Sequence, residues 1–254
     1  MKQINKLSYI LVSIILLLSL TFISYGNSFK NISVTDLLQK MNTAIDPTGI
    51  LNSTKTKQTI GEATMPLQQI KVSVESQFKM PNKYLIITKF PGGQKQIQAY
   101  NGDIAWSYNS KTDKKSVLTG KDRDAFIFNA MLASPKSDIY NELFEDMKIA
   151  DSYYKVGKYE CYKFICYPKG KFKLSEPYIF YIDNKNFLIR KMDLTIYLKG
   201  NPLKESILSE DYKDILGIKF PMKTTTNILG SEIDYYTKDI KFNIPINNKV
   251  FDNL

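Results

Sequence analysis

The sequence predicts an α+β fold: a strongly curved antiparallel sheet, a half-open barrel of about ten strands, with two or three helices covering its concave face. Three observations carry this. Stretches of alternating polarity recur along most of the chain, separated by short turns rich in Gly, Pro and Asn. Helical spacing is confined to one short segment near the N-terminus and one in the middle. No linker-like stretch or break in composition divides residues 27–254, so they read as a single domain. A meander of that many strands curls rather than staying flat.

The first 26 residues read as a signal peptide. Lys2 and Lys6 precede residues 7–25, which carry no charge, and the small residues Ser24 and Gly26 suit a leader peptidase. An uncleaved anchor in the cytoplasmic membrane is the other reading, because the apolar run is just long enough to span a bilayer. Either way the chain is exported, to the periplasm or beyond. No cysteine stands at the cleavage region, so there is no lipobox.

Residues 33–45 then read as a helix. Val34, Leu37, Leu38, Met41 and Ile45 form one apolar stripe, Ser33 and Asp36 make a cap, and Asp46-Pro47 with Gly49 ends it. In IKVSVESQF, Ile70, Val72, Val74 and Phe78 alternate with polar residues, as in a strand with one wet face. YLIITKF returns as the next strand, and Pro91-Gly92-Gly93 turns the chain again. QKQIQAY and DIAWSY then pair about Asn101-Gly102, a strong signal for a tight hairpin. Helical spacing returns at residues 122–133 and 138–148, separated by Ser134-Pro135. Six further strand-like stretches, from YECYKFICYP to EIDYYTKDIKF, fill the rest.

Composition removes several functions. The chain has no histidine, which excludes Ser-His and Cys-His nucleophile pairs and the commonest zinc ligand. No Gly-rich phosphate loop, paired CxxC or HExxH is present. The acid pairs Asp211/Asp214, Glu142/Glu145 and Asp122/Asp124 lie in short polar stretches and read as solvated faces. The expectation is therefore no catalytic residues, no metal, no cofactor and no enzyme. The net charge of +10 comes from lysines spread along the chain rather than from a dense run, so nucleic acid is not expected as a partner. Cys161 and Cys166 are five residues apart; a straight strand would hold them about 16 Å from each other. Buried free thiols are therefore favoured over a disulfide, which would need a bend.

The interior of such a sheet is a filled core or an apolar cavity. The residues expected to face it are Val72, Val74, Phe78, Tyr84, Ile86, Phe90, Trp106, Tyr108, Phe180, Ile182, Met192, Leu194, Met222 and Ile228. None is charged, so a ligand bound among them would be apolar. For Trp106, the only tryptophan, a cavity wall and a plain core anchor of the hairpin are equally good readings.

Taken in order, these features resemble the LolA-like outer-membrane lipoprotein-sorting family. The resemblance rests on Pro81, Lys83 and Tyr84 at a strand start; Tyr100, Gly102 and Trp106 in a hairpin; Tyr181, Asp183, Leu188 and Lys191 in a strand pair; and Asp211, Tyr212, Gly217 and Pro221 in a late stretch. It implies a cavity that shields the acyl chains of a lipid or lipoprotein during sorting, the residues named above lining it. It also implies a monomer that meets membrane-bound donor and acceptor proteins. A non-enzymatic envelope sensor or interaction module on the same fold is the competing implication. Known carriers have an arginine just before the Pro of the second strand; here Lys79 and Met80 stand there, and Lys79 is the candidate to replace it.

Overall fold

The computed structural model describes residues 29–65 and 70–252; the expected leader lies outside them. Helix α1 (Val34–Ile45) starts where Ser33 Oγ accepts a hydrogen bond from the Asp36 amide at 3.0 Å. It buries Leu37, Leu38 and Met41, three members of the stripe read from the sequence. Buried Asp46 ends it, and its carboxylate accepts from the amides of Ile50 and Leu51 at 3.1 and 2.8 Å, satisfying the turn that follows.

Six strands come next: β1 (Thr56–Met65), β2 (Ile70–Lys79), β3 (Lys83–Lys89), β4 (Lys95–Tyr100), β5 (Ala105–Asn109) and β6 (Lys114–Val117). Helices α2 (Gly120–Leu132) and α3 (Ile139–Leu143) follow. The chain then forms β7 (Phe144–Val156), β8 (Tyr159–Pro168), β9 (Tyr178–Asp183), β10 (Ile189–Leu198), β11 (Asn201–Ile215), β12 (Ile218–Ile228) and β13 (Ser231–Phe242). Among the described residues these make one 13-stranded sheet in the order β6-β5-β4-β3-β2-β1-β13-β12-β11-β10-β9-β8-β7. It is two meanders joined where β1 pairs antiparallel with β13. The sheet curves without closing, and β6 and β7 are its two edges.

That order places the helices. The segment between β6 and β7 must travel from one edge of the sheet to the other, and it contains α2 and α3. It crosses a face and roofs it. An aromatic cluster fixes the roof on the β7–β9 side: the Phe128 ring lies 5.3 Å from Phe144, 4.9 Å from Phe172 and 4.8 Å from Tyr178. Tyr178 Oη completes the contact by donating to Asn129 Oδ1 at 2.8 Å. The two edge-to-face pairs, with Phe144 and Phe172, each add about 0.5–1.5 kcal/mol beyond their buried area.

Three expectations change. The sheet has more strands than ten, because β1, β6 and β7 carry little hydrophobic alternation of their own. The helix expected over residues 138–148 stops at Leu143. From Phe144 the chain is strand, with Met147 opposite Cys166 and Lys148 opposite Ile165. Ladder bonds to β8 outweigh a local helical stripe that is only two turns long. Finally, Asn101-Gly102 does not form a two-residue hairpin. Tyr100 pairs with Ala105 across a four-residue loop, in which Asn101 Oδ1 accepts from the amides of Asp103 and Ile104. Gly102 has φ 104°, a conformation that a side chain would oppose.

Candidate functional site

Between roof and sheet lies a cavity of about 590 Å³. Ile45 and Leu51 close it from the end of α1 and the turn beyond, and Leu132 from α2. The α2–α3 link, from Ala133 to Ser137, and the start of α3, with Ile139 and Tyr140, continue the roof. The floor is Phe180 of β9; Ile189, Met192 and Leu194 of β10; Ile207 and Tyr212 of β11; and Phe220 and Pro221 of β12. The lining is mostly apolar, and the volume falls in the range of small-molecule sites, about 300–1,000 Å³.

The α2–α3 link of the roof is tied down from two sides. Lys57 Nζ, on β1, donates to the carbonyl oxygen of Ala133 in the α2–α3 link at 2.6 Å. Ser137 Oγ in the same link donates to Asn52 Oδ1 at 2.6 Å. Burial disfavours the ammonium of Lys57 and brings its pKa down to about 8. On the far wall burial acts in the opposite sense on Glu205, raising its carboxyl above the ordinary carboxylate value. The apolar pattern of the sequence placed no charged group in the interior; these two border it, as do Asp46, Lys136 and Lys219. Lys57 lies in a strand without clear alternation, and Glu205 shares its face with Ile207 and Ser209, a mixed pattern that does not read as a cavity wall.

Of the residues expected to face the interior, Phe180, Met192 and Leu194 line this cavity. Val72, Phe78 and Ile182 are buried in the core, with Val74 half-buried beside them. Tyr84 packs against Phe126 of α2, ring centres 6.0 Å apart. Met222 and Ile228 are half-buried on β12, and Phe90 is half-buried ahead of the Pro91 turn. Ile86 borders a separate, polar hollow of about 400 Å³ beside Thr88, Gln96 and Gln98.

Trp106 and Tyr108 are on the other face. The register is decisive: Phe78 opposes Tyr84 and Tyr84 opposes Tyr100, whereas Trp106 opposes Ala99 and Ala99 opposes Leu85. Successive residues of a strand point to opposite faces, so Trp106 is turned away from Tyr84. It packs with Leu85, Ala99 and Phe251, and its indole Nε1 donates to the Phe251 carbonyl at 2.8 Å. It is a core anchor, and what it anchors is the C-terminal tail. Lys79 holds the same tail, donating from Nζ to the Ile246 carbonyl at 2.8 Å.

Cys161 and Cys166 are free and buried. Burial pushes the Cys161 thiol up to about 12 and raises Cys166 further still, so neither offers a thiolate near neutral pH. Among the described residues no group of three His, Cys, Asp or Glu side chains could hold a metal ion. Nor is any helix among them long and apolar enough to cross a membrane.

Solved structures share this fold. A LolA superfamily protein from Nitrosomonas europaea superimposes with a TM-score of 0.57 at 14% identity, covering 88% of this chain and 100% of its own. The fold is LolA-like. An outer membrane lipoprotein-sorting protein domain from Vibrio parahaemolyticus agrees, with a TM-score of 0.56 at 12% identity over 85% of this chain and 95% of that one. A DUF1329 family protein from Desulfovibrio piger gives 0.57 at 14% identity, over 85% and 94%. The sequence matches no family model and no curated protein. In this LolA-like chain, then, the hollow between roof and sheet is the candidate site.

Proposed function

We propose that this chain is an exported, monomeric, non-enzymatic carrier. It shields the acyl chains of a lipid or lipoprotein while they cross an aqueous compartment between membrane-bound donor and acceptor proteins. The observation that carries this reading is the cavity of about 590 Å³, floored by Phe180, Met192, Leu194 and Ile207 and roofed by a link that few hydrogen bonds hold down. Each methylene withdrawn from water contributes about 0.8 kcal/mol, so one acyl chain supplies the driving force for loading without any covalent step. The LolA-like fold of the neighbours supports the reading, and so does the leader-like N-terminal sequence. The domain assignment proposed with it is a cleaved leader, residues 1–26, followed by one lipid-binding domain, residues 27–254.

Native mass spectrometry tests this. Protein purified from the envelope of an expressing bacterium should carry lipid mass, lose it on delipidation and regain one equivalent from a diacylated lipopeptide. A chain that carries no lipid and takes up none after delipidation is not a carrier.

A further inference from the structure

We propose that the cavity selects an amphiphile with a single acidic head group, a carboxylate or a phosphate monoester, and that Lys57 receives that head. The inference rests on the carrier reading and narrows it.

Three lysines stand on the cavity wall, and two of them are neutralised. Lys136 is ion-paired with Glu142, and Lys219 Nζ lies 3.0 Å from Asp214. Lys57 has only the Ala133 carbonyl, and among the described residues no carboxylate is close enough to pair with it. Lys57 is half-buried; an ammonium partly withdrawn from water without a counter-charge carries a cost that a carbonyl dipole compensates only in part. A bound anion would supply the missing charge through a charge-assisted hydrogen bond, roughly twice as strong as a neutral one. Neither acid of the cavity is that partner: the Asp46 carboxylate is taken up by the amides of Ile50 and Leu51 and the Thr48 hydroxyl. Glu205 is on β11, separated from β1 by β13 and β12, and strand spacing alone puts three steps at about 14 Å.

The placement also orients the ligand. Lys57 faces the α2–α3 link, at the polar margin where Ser134, Lys136 and Ser137 gather. The apolar floor of Met192, Leu194 and Ile207 extends from there toward β10 and β11 and would take the tail. The Lys57 ammonium has three donors and gives one to the Ala133 carbonyl, so it can receive a head group while keeping the roof bond.

Three sixteen-carbon probes that differ only in the head test this: palmitate, hexadecyl phosphate and hexadecanol. Each is titrated at pH 7 into the delipidated full-length mature chain, its Lys57→Met variant and its Lys57→Arg variant. The wild type should bind one or both acids at least tenfold more tightly than the alcohol, and which acid wins separates a carboxylate from a phosphate ligand. Lys57→Met should keep the alcohol affinity and lose the preference; Lys57→Arg should retain it. Equal affinity of the wild type for acids and alcohol overturns the role of Lys57 and leaves the carrier reading standing. A preference that survives in Lys57→Met does the same. Failure of the wild type to bind any of the three overturns both.

Discussion

The two ends of this sheet solve the same problem differently. At β3–β5, an apolar patch of Leu85, Ala99 and Trp106 on the face away from Tyr84 is covered by the C-terminal tail, whose Phe251 is fully buried. At β9–β12, Phe180, Met192, Leu194 and Ile207 are covered by α2, α3 and the link between them, yet about 590 Å³ is left open. The first cover is a short segment laid directly on the strands and pinned by the Trp106 indole and by Lys79. The second is a span thrown between two sheet edges, held at its β7–β9 side by aromatic rings and at β3 by the contact of Tyr84 with Phe126, while its α2–α3 link is held by the Lys57 and Ser137 hydrogen bonds. A cover laid along the strands packs; a cover that bridges between separated anchor points leaves a hollow beneath its link. Apolar side chains on a strand thus mark burial without saying whether the space opposite them is filled.

Trp106→Ala is the strongest way to break this contrast. It removes a fully buried indole and leaves the Phe251 carbonyl without its donor, at a cost of about 3–5 kcal/mol. Urea unfolding should register that loss, while palmitate affinity of the folded fraction should be unchanged. For the same reason Trp106 emission in the wild type should not move when the hollow fills. A spectral shift on loading would show that the two regions are coupled.

Met192→Trp sharpens the comparison from the other side. Overfilling a packed core costs about 1–3 kcal/mol, but here the added ring has an open volume to enter. Stability should change by less than about 1 kcal/mol, and acyl uptake should fall at least tenfold. A destabilisation like that of a core site, with uptake intact, would mean that the hollow is filled in solution.

The smallest effect concerns the far wall. Burial raises the native pKa of Glu205 above its unfolded value, so above the unfolded pKa the unfolded chain holds fewer protons than the native one. The associated stability is present below the unfolded pKa, near 4.3, and is lost as pH rises through the native value. Glu205→Gln should remove that part of the pH dependence and unfold at slightly higher denaturant at pH 7. An unchanged profile would place Glu205 in contact with water rather than on a dry wall.

Much of this was open to a reader of the residues alone. The period of two located ten of the twelve strands after β1, and the Ser33 cap and the stripe from Val34 to Ile45 located α1 with both its ends. Phe180, Met192 and Leu194 were found as cavity wall because they alternate cleanly. Ile207 was not, since its neighbours on the same face include Glu205 and Ser209; Tyr212 was not, since a period of two from Ile207 puts it on the opposite face and the irregularity at Asp211, φ 51°, interrupts that period; and Ile189 follows a turn that gives no pattern. Residues 144–148 misled because five residues of helical spacing are shorter than the strand pairing that overrides them.

The sequence by itself determined which residues would leave water, since that depends on side-chain chemistry and on a backbone period of two or 3.6. It did not determine which face of each strand would be covered, or by what. Trp106 meets Phe251 from 145 residues away, and Lys57 meets Ala133 across 76. Such pairings depend on how the whole sheet curls and where its edges fall, and no local pattern encodes that. The physical reason is that alternation fixes only relative orientation along a strand; the sign, inward or outward, is assigned by elements that arrive from elsewhere in the chain.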